Sequence, residues 1–296
     1  MLLFFLILVL GFFAQYIDGV LGMGYGASSS SFLVATGLVP AIVSASVHTS
    51  EIFASFASGL SHLIFGNVDS KIALPLTCTG ILGGIVGAYF LAKLPGNLMT
   101  PFVGAILLIL GIRIFLRFFW KKNLKLTKGE FSKRFLLLLG FVGGAVDAIG
   151  GGGWGPICTS MLVSANKTEP RYVIGSVNIA EFFTTITTVF TFGLIIGFEN
   201  FLWHVTIPLI IGGVIAAPVA AYTCQKVPPR ILGTLVGAIL ITLNTRTITK
   251  YLPKMLRVEM PIKLELIVIF TALVLVFLIT LRYVGKNFKG KTSFSM

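Results

Sequence analysis

The sequence predicts an all-α integral membrane protein made of two homologous halves, and three observations carry that prediction. Of its 296 residues 56% are hydrophobic and only 11% charged, with a mean hydropathy of +0.97. Apolar runs recur along the chain at lengths able to cross a bilayer, whose hydrocarbon core takes about 20 residues of helix. Finally, DGVLGMGYG from Asp18 and DAIGGGGWGP from Asp147 set one aspartate-and-glycine pattern inside hydrophobic sequence twice, 129 residues apart. No segment is long or polar enough to be a soluble domain.

The first element, residues 1–38, is apolar and interrupted at Gly22 to Gly26. An apolar start can be a cleaved leader, but this one has no basic region ahead of it. Gly11, Phe12 and Asp18 also recur as Gly140, Phe141 and Asp147, so the segment is expected to be retained as part of a repeated unit. Three apolar runs follow, at 41–65, 72–92 and 98–120, completing an N-terminal transmembrane repeat over 1–120. The stretch 121–134, KKNLKLTKGEFSKR, is a basic linker expected on the cytoplasmic side, where lysine and arginine accumulate. The second repeat, 135–245, has a second interrupted segment at 135–165 and runs at 173–198, 203–224 and 231–244. A basic loop is expected over 246–261, an extra transmembrane helix over 262–284 and a basic tail over 285–296.

The formal charge of +13 would suggest nucleic acid in a soluble protein, but these basic residues cluster in loops and tail and read as topology signals. Cys78, Cys158 and Cys224 lie singly in apolar sequence, which argues for buried structural thiols over a metal site or a disulfide framework. No metal, cofactor or nucleic acid is expected.

The repeat extends beyond the glycines. Pro40, Val43, Ser46, Val47, Glu51 and Phe53 match Pro170, Val173, Ser176, Val177, Glu181 and Phe183 at an offset of 130. Pro75, Gly80, Tyr89, Lys93 and Pro95 match Pro208, Gly213, Tyr222, Lys226 and Pro228, and Val103 to Leu107 reappears as Val236 to Leu240, at an offset of 133. Duplication with interrupted helices points to a secondary transporter with its site between the halves. Each interrupted segment is either one broken span, which gives parallel repeats, or a re-entrant hairpin, which gives inverted ones. The placement of basic residues favours inversion, except for the stretch 246–263, which inversion leaves outside. Each half is then a glycine-broken short-helix segment plus three spanning helices.

A backbone break at membrane depth must be buried in protein or line a cavity, because lipid cannot satisfy its N–H and C=O groups. Gly22, Gly24 and Gly26, repeated as Gly151, Gly153 and Gly155, allow positive φ and close approach of a ligand to bare backbone. The short helices after each break, expected from about Ala27 and Ile157, would turn their free N–H groups and positive dipole ends toward an anion. Ser28, Ser29, Thr159 and Ser160 could add hydroxyl donors, although serine at a helix start is often a simple cap. Tight helix packing is the competing role for the glycines.

Charged and polar groups inside a membrane are expensive and are functional candidates by default. His48 and Glu51 sit one turn apart on the second apolar run, and Asn178 and Glu181 hold the equivalent places. His48 and Asn178 are candidates for contacting the substrate, and Glu51, Glu181 and His48 for carrying protons; a structural role as staples of broken backbone is the alternative for the glutamates. Asp18 and Asp147 would repel an anion, so fixing the loops by accepting their N–H bonds is the favoured role. Trp154 could gate or anchor at the interface. His62, His204 and Arg113 have no repeat partner of their kind and read as packing or interfacial residues. Enzyme signatures are missing: GYGASSSS has no phosphate-loop lysine, and His48 with Glu51 lacks the second histidine of a zinc protease helix.

The duplicated D-x-x-x-G-x-G-x-G block, the P-x-x-V-x-x-S-V-x-x-x-E segment after each, and the basic linker resemble the sulfite exporter TauE/SafE family, also called the 4-toluene sulfonate uptake permease family. The resemblance covers about residues 5 to 245. It implies a plasma-membrane permease for sulfite, an organosulfonate or another small anion, held by Gly22, Gly24, Gly26, Gly151, Gly153 and Gly155 with their short helices. Met23 and Tyr25 between the first glycines depart from the second run and imply an asymmetric site. The expected activity is secondary transport by alternating access, open to coupling to protons. An anion channel, or a membrane sensor or assembly subunit, would use the same breaks differently.

Overall fold

The computed structural model describes residues 1–119, 129–223 and 229–257. Most of the linker, Cys224, Lys226, Pro228, the expected extra helix at 262–284 and the basic tail lie outside the described residues. Among those described the chain is all helical. In order come α1 (Leu2–Leu21), α2 (Tyr25–Ala35), α3 (Pro40–Ile64), α4 (Ser70–Lys93) and α5 (Gly96–Phe119). After the linker come α6 (Lys133–Gly150), a π-turn (Gly155–Thr159) leading into α7 (Ser160–Ser164), α8 (Pro170–Ile196), α9 (Trp203–Thr223) and α10 (Pro229–Leu256).

Local chemistry sets the boundaries. α1 and α6 stop at Gly22 and Gly151, whose φ of 69° and 68° put them in the left-handed region where only glycine is unstrained. Their N–H groups close on Asp18 O and Asp147 O, each at 2.6 Å. α4 begins where the Asp69 carboxylate accepts the Lys71 N–H at 2.9 Å. α8 begins at Pro170, a residue that lacks only a donor the first turn does not need.

Four described helices, α1, α4, α5 and α8, are apolar and long enough to cross a membrane. Their outer faces present large apolar side chains such as Phe13, Phe90, Ile109 and Leu194, as lipid requires. With no hydrophobic drive between helices in lipid, close packing of small residues holds them together. α4 runs parallel to α6: Leu76 meets Gly140, Gly80 and Gly84 meet Gly144, and Ala145 meets Gly87. α1 runs parallel to α9 in the same manner, with Gly11 against Leu209 and Gly212 against Leu8 and Phe12. α5 and α10 are antiparallel, since Gly104 faces Thr247 whereas Phe118 faces Gly233. α3 and α8 are antiparallel too, with Phe56 near Phe182 and His62 near Gly175. The first helix of each half therefore packs mainly on the other half.

Several expectations are corrected. The short helices start earlier than expected, at Tyr25 and at Gly155, the second as a π-turn. The stretch expected as a basic loop is helical as far as Leu256, because α10 runs on through it. Cys78 is exposed on the outer surface, which in lipid is as apolar as a core; Cys158 is buried. Trp154 is not an anchor at the membrane–water interface: it is fully buried, and its Nε1 donates to Val177 O at 3.1 Å.

Candidate functional site

The two glycine breaks touch. A Cβ on Gly26 would come within 2.6 Å of Gly152 Cα, and one on Gly155 within 2.9 Å of Met23 Cα. Bare backbone of one half thus lies on bare backbone of the other. Ser30 Oγ donates to Gly151 O at 2.6 Å, and Ser44 Oγ on α3 donates to Ala148 O at 2.6 Å. Both bonds satisfy carbonyls that the end of α6 leaves free.

Each aspartate holds its own break. Asp18 Oδ1 accepts the Tyr25 N–H at 3.3 Å, and Asp147 Oδ1 accepts those of Gly153 and Trp154 at 2.7 and 2.9 Å. The other oxygen of Asp147 meets His48 Nε2 at 3.0 Å, with both side chains buried. His48 Nδ1 stands 2.8 Å from Ser44 O, and a carbonyl can only accept, so Nδ1 carries a hydrogen. The Nε2–Asp147 contact needs a second hydrogen, and the pair therefore shares a proton in a dry site.

Glu51, one turn beyond His48, is 5% exposed and lies near the Gly26 N–H, while its Oε2 has no partner. Donor atoms of His48, Glu51 and Asp147 all lie within 4.8 Å of one another, a spacing that suits a cation as well as protons. Asp18 and Glu181 are within electrostatic reach of Glu51. Among the described residues no lysine or arginine pairs with any of these four carboxyls.

The expected free N–H groups at the breaks are thus partly occupied by the protein's own carboxylates, which take those of Tyr25, Gly153 and Trp154. What stays open beside them is hydroxyl chemistry. Ser29 Oγ and Thr159 Oγ1, on the two segments that follow the breaks, are buried and have no partner. Ser28 is half-buried, and Ser160 Oγ contacts Met23 Sδ at 3.5 Å. Gly22 packs against Ile174 and Gly24 near Ile17, flanking the crossing; the Gly153 Cα faces α6 at Val146 and Asp147. Asn178 stands apart from the His48 group, donating to Ser58 Oγ at 2.7 Å across α3 and α8.

Sequence reasoning missed Ser44, which no motif marks, and Gly152, whose Cβ position is filled by Ala27 N. It also stopped the repeat at Leu107 and Leu240. Carried further, the same offset of 133 pairs Arg113 with Arg246 and Arg117 with Lys250, so Arg113 does have a partner of its kind. Arg113 is in electrostatic reach of Cys158 in the π-turn, and Arg117 Nη1 is buried with no partner.

Residues 7–247 match the profile of the sulfite exporter TauE/SafE family. The chain is 41% identical over 241 residues to the probable membrane transporter protein YtnM of Bacillus subtilis (strain 168), covering 81% of this chain and 80% of that one. It is 26% identical over 246 residues to the probable membrane transporter protein ORF9 of Sinorhizobium sp, covering 80% and 89% respectively. No solved structure matches the chain.

Proposed function

The chain belongs to the sulfite exporter TauE/SafE family and is a multi-pass membrane transporter, not an enzyme, and from that premise we propose that it moves a small anion such as sulfite or an organosulfonate by alternating access. The observation that carries this reading is the crossing of the two breaks, with the buried, unpartnered hydroxyls of Ser29 and Thr159 beside it. Buried polar groups without partners are uncommon, and a ligand is one of the few things that explains a pair of them.

The halves are inverted repeats that rock about this crossing. Two pieces of packing support the inversion: the equivalent helices α5 and α10 are antiparallel, and so are α3 and α8. The exchange of first helices, α1 on α9 and α6 on α4, is the reciprocal arrangement that a two-fold axis in the membrane plane requires.

Protons drive the anion in this reading. With Glu51 ionised, its carboxylate stands beside the Gly26 N–H and repels the substrate. Protonation removes the charge and leaves that N–H to donate to an oxyanion next to Ser29. Glu181 and the proton shared by His48 and Asp147 belong to the same path. The carboxylates thus occupy the anion's place in its absence.

Flux of sulfite in proteoliposomes holding the purified chain tests this. We expect saturable, counterflow-competent flux, lost in Gly153→Leu and weakened in Ser29→Ala and Thr159→Val while the proteins stay folded. Unsaturable flux without counterflow would identify a channel; no flux of sulfite or methanesulfonate at any imposed pH gradient would refute the proposal.

A further inference from the structure

Two arginines lie on the inner part of α5 with no acidic partner among the described residues. Gly150, at the end of α6, packs on Ile106 and Leu107 and marks the level of the break along α5. Arg113 follows six residues later, roughly 9 Å nearer the linker, and Arg117 one turn beyond. Arg113 is half-buried and faces the π-turn at Cys158; Arg117 buries Nη1 without a partner and lies over the Phe118 ring at 5.5 Å. Neither pairs with a carboxylate among the described residues. Like charges one turn apart repel, and a guanidinium with a buried donor left unpaired is costly.

We propose that Arg113 and Arg117 form an oxyanion-binding station between the linker-side surface and the break, passing the anion to Thr159. Planar guanidiniums suit a tetrahedral or pyramidal oxyanion because each can offer two parallel N–H donors. A bound anion also relieves the repulsion within the pair. Thr159 sits in the π-turn next to Cys158, so Arg117 and Thr159, each with a buried donor left unpaired, stand on either side of Arg113 in a file from the surface to the crossing. Cys158 is itself in electrostatic reach of Asp147 and Glu181, so the file ends beside those carboxyls. The station rests on the reading of this protein as an anion transporter, and the same chemistry would suit a lipid phosphate.

The test uses the full chain purified in phospholipid-free detergent, with sulfite, sulfate and methanesulfonate as probes of thermal stabilisation. Arg113→Gln and Arg117→Gln should each raise the sulfite concentration for half-stabilisation about tenfold, the effect of one lost charge-assisted contact, with Arg117→Lys in between. Arg171→Gln, whose guanidinium already pairs with Glu169 on the surface, should match wild type. In phosphatidylcholine vesicles the same variants should raise the KM for sulfite flux more than they lower its maximum. If the glutamine variants do not fold, weaker sulfite binding by a fully stable Arg117→Lys supports the station, and unchanged binding overturns it. Variants that bind sulfite like wild type and lose only stabilisation by anionic lipid would assign the arginines to headgroups and overturn it. Saturable flux with arginine-independent affinity would sink the station and leave the transporter reading standing. Arginine-dependent stabilisation without flux would do the reverse, and no stabilisation of wild type by any probe would overturn the station outright.

Discussion

At the residue scale, Asp147 carries the densest set of bonds in the site: two loop N–H groups on one oxygen and His48 on the other. Asp147→Ala would strand all three partners in a dry environment. We expect it to cost about 3–5 kcal/mol, the range for breaking a buried charged pair, measured as a lower unfolding midpoint in denaturant. Glu51 differs, because its Oε2 has no partner. Glu51→Gln together with Glu181→Gln should leave the fold intact and make sulfite flux insensitive to an imposed proton gradient; flux that still follows the gradient would rule out these glutamates as the carriers. The sequence marked both residues because charge at membrane depth is rare. That α2 would spend its first N–H group on Asp18 was not legible, since no periodicity records which helix start lies beside which carboxyl. Arg113 was misread for a simpler reason: the repeat persists past the point where its similar residues end.

At the element scale, helix contacts depend on residues with no side chain. A Cβ on Gly144 would run into Gly80 O, and one on Gly83 into Phe141 O, so either site should resist enlargement. Gly144→Val should destabilise by about 1–3 kcal/mol or more through overpacking of α4 against α6, read as a fall in melting temperature. Gly66, where a Cβ would meet open space but φ is +65°, should tolerate Asn better than Val, as a left-handed turn and not a contact sets its identity. The helical spans themselves were legible from hydropathy, and their ends agree with the sequence reading to within a few residues at most sites. The π-turn at Gly155 to Thr159 was not, because an extra residue in one turn leaves no mark on composition.

At the scale of the whole molecule, the antiparallel pairing of α5 with α10 gives a direct topological expectation. In a chain cleared of Cys78, Cys158 and Cys224, a cysteine placed at Gly129 and one placed at Arg257 should react with a membrane-impermeant thiol reagent from opposite faces. Labelling from the same face would rule out inverted halves. The sequence pointed toward inversion only through its basic residues, and 246–263 spoke against it. Helix direction read from glycine contacts is an independent line and supports the same arrangement.

The exchanged packing of first helices also bears on how the protein is made. α1 leaves the ribosome long before α9, yet Gly11 and its neighbours find their partner only at Leu209 and Gly212. During synthesis the N-terminal half sits in the bilayer with an unfilled groove, and it closes only once most of the C-terminal half has been inserted. The contact of α1 with α9 thus forms last though α1 is made first, and the N-terminal half by itself leaves that face of α1 uncovered.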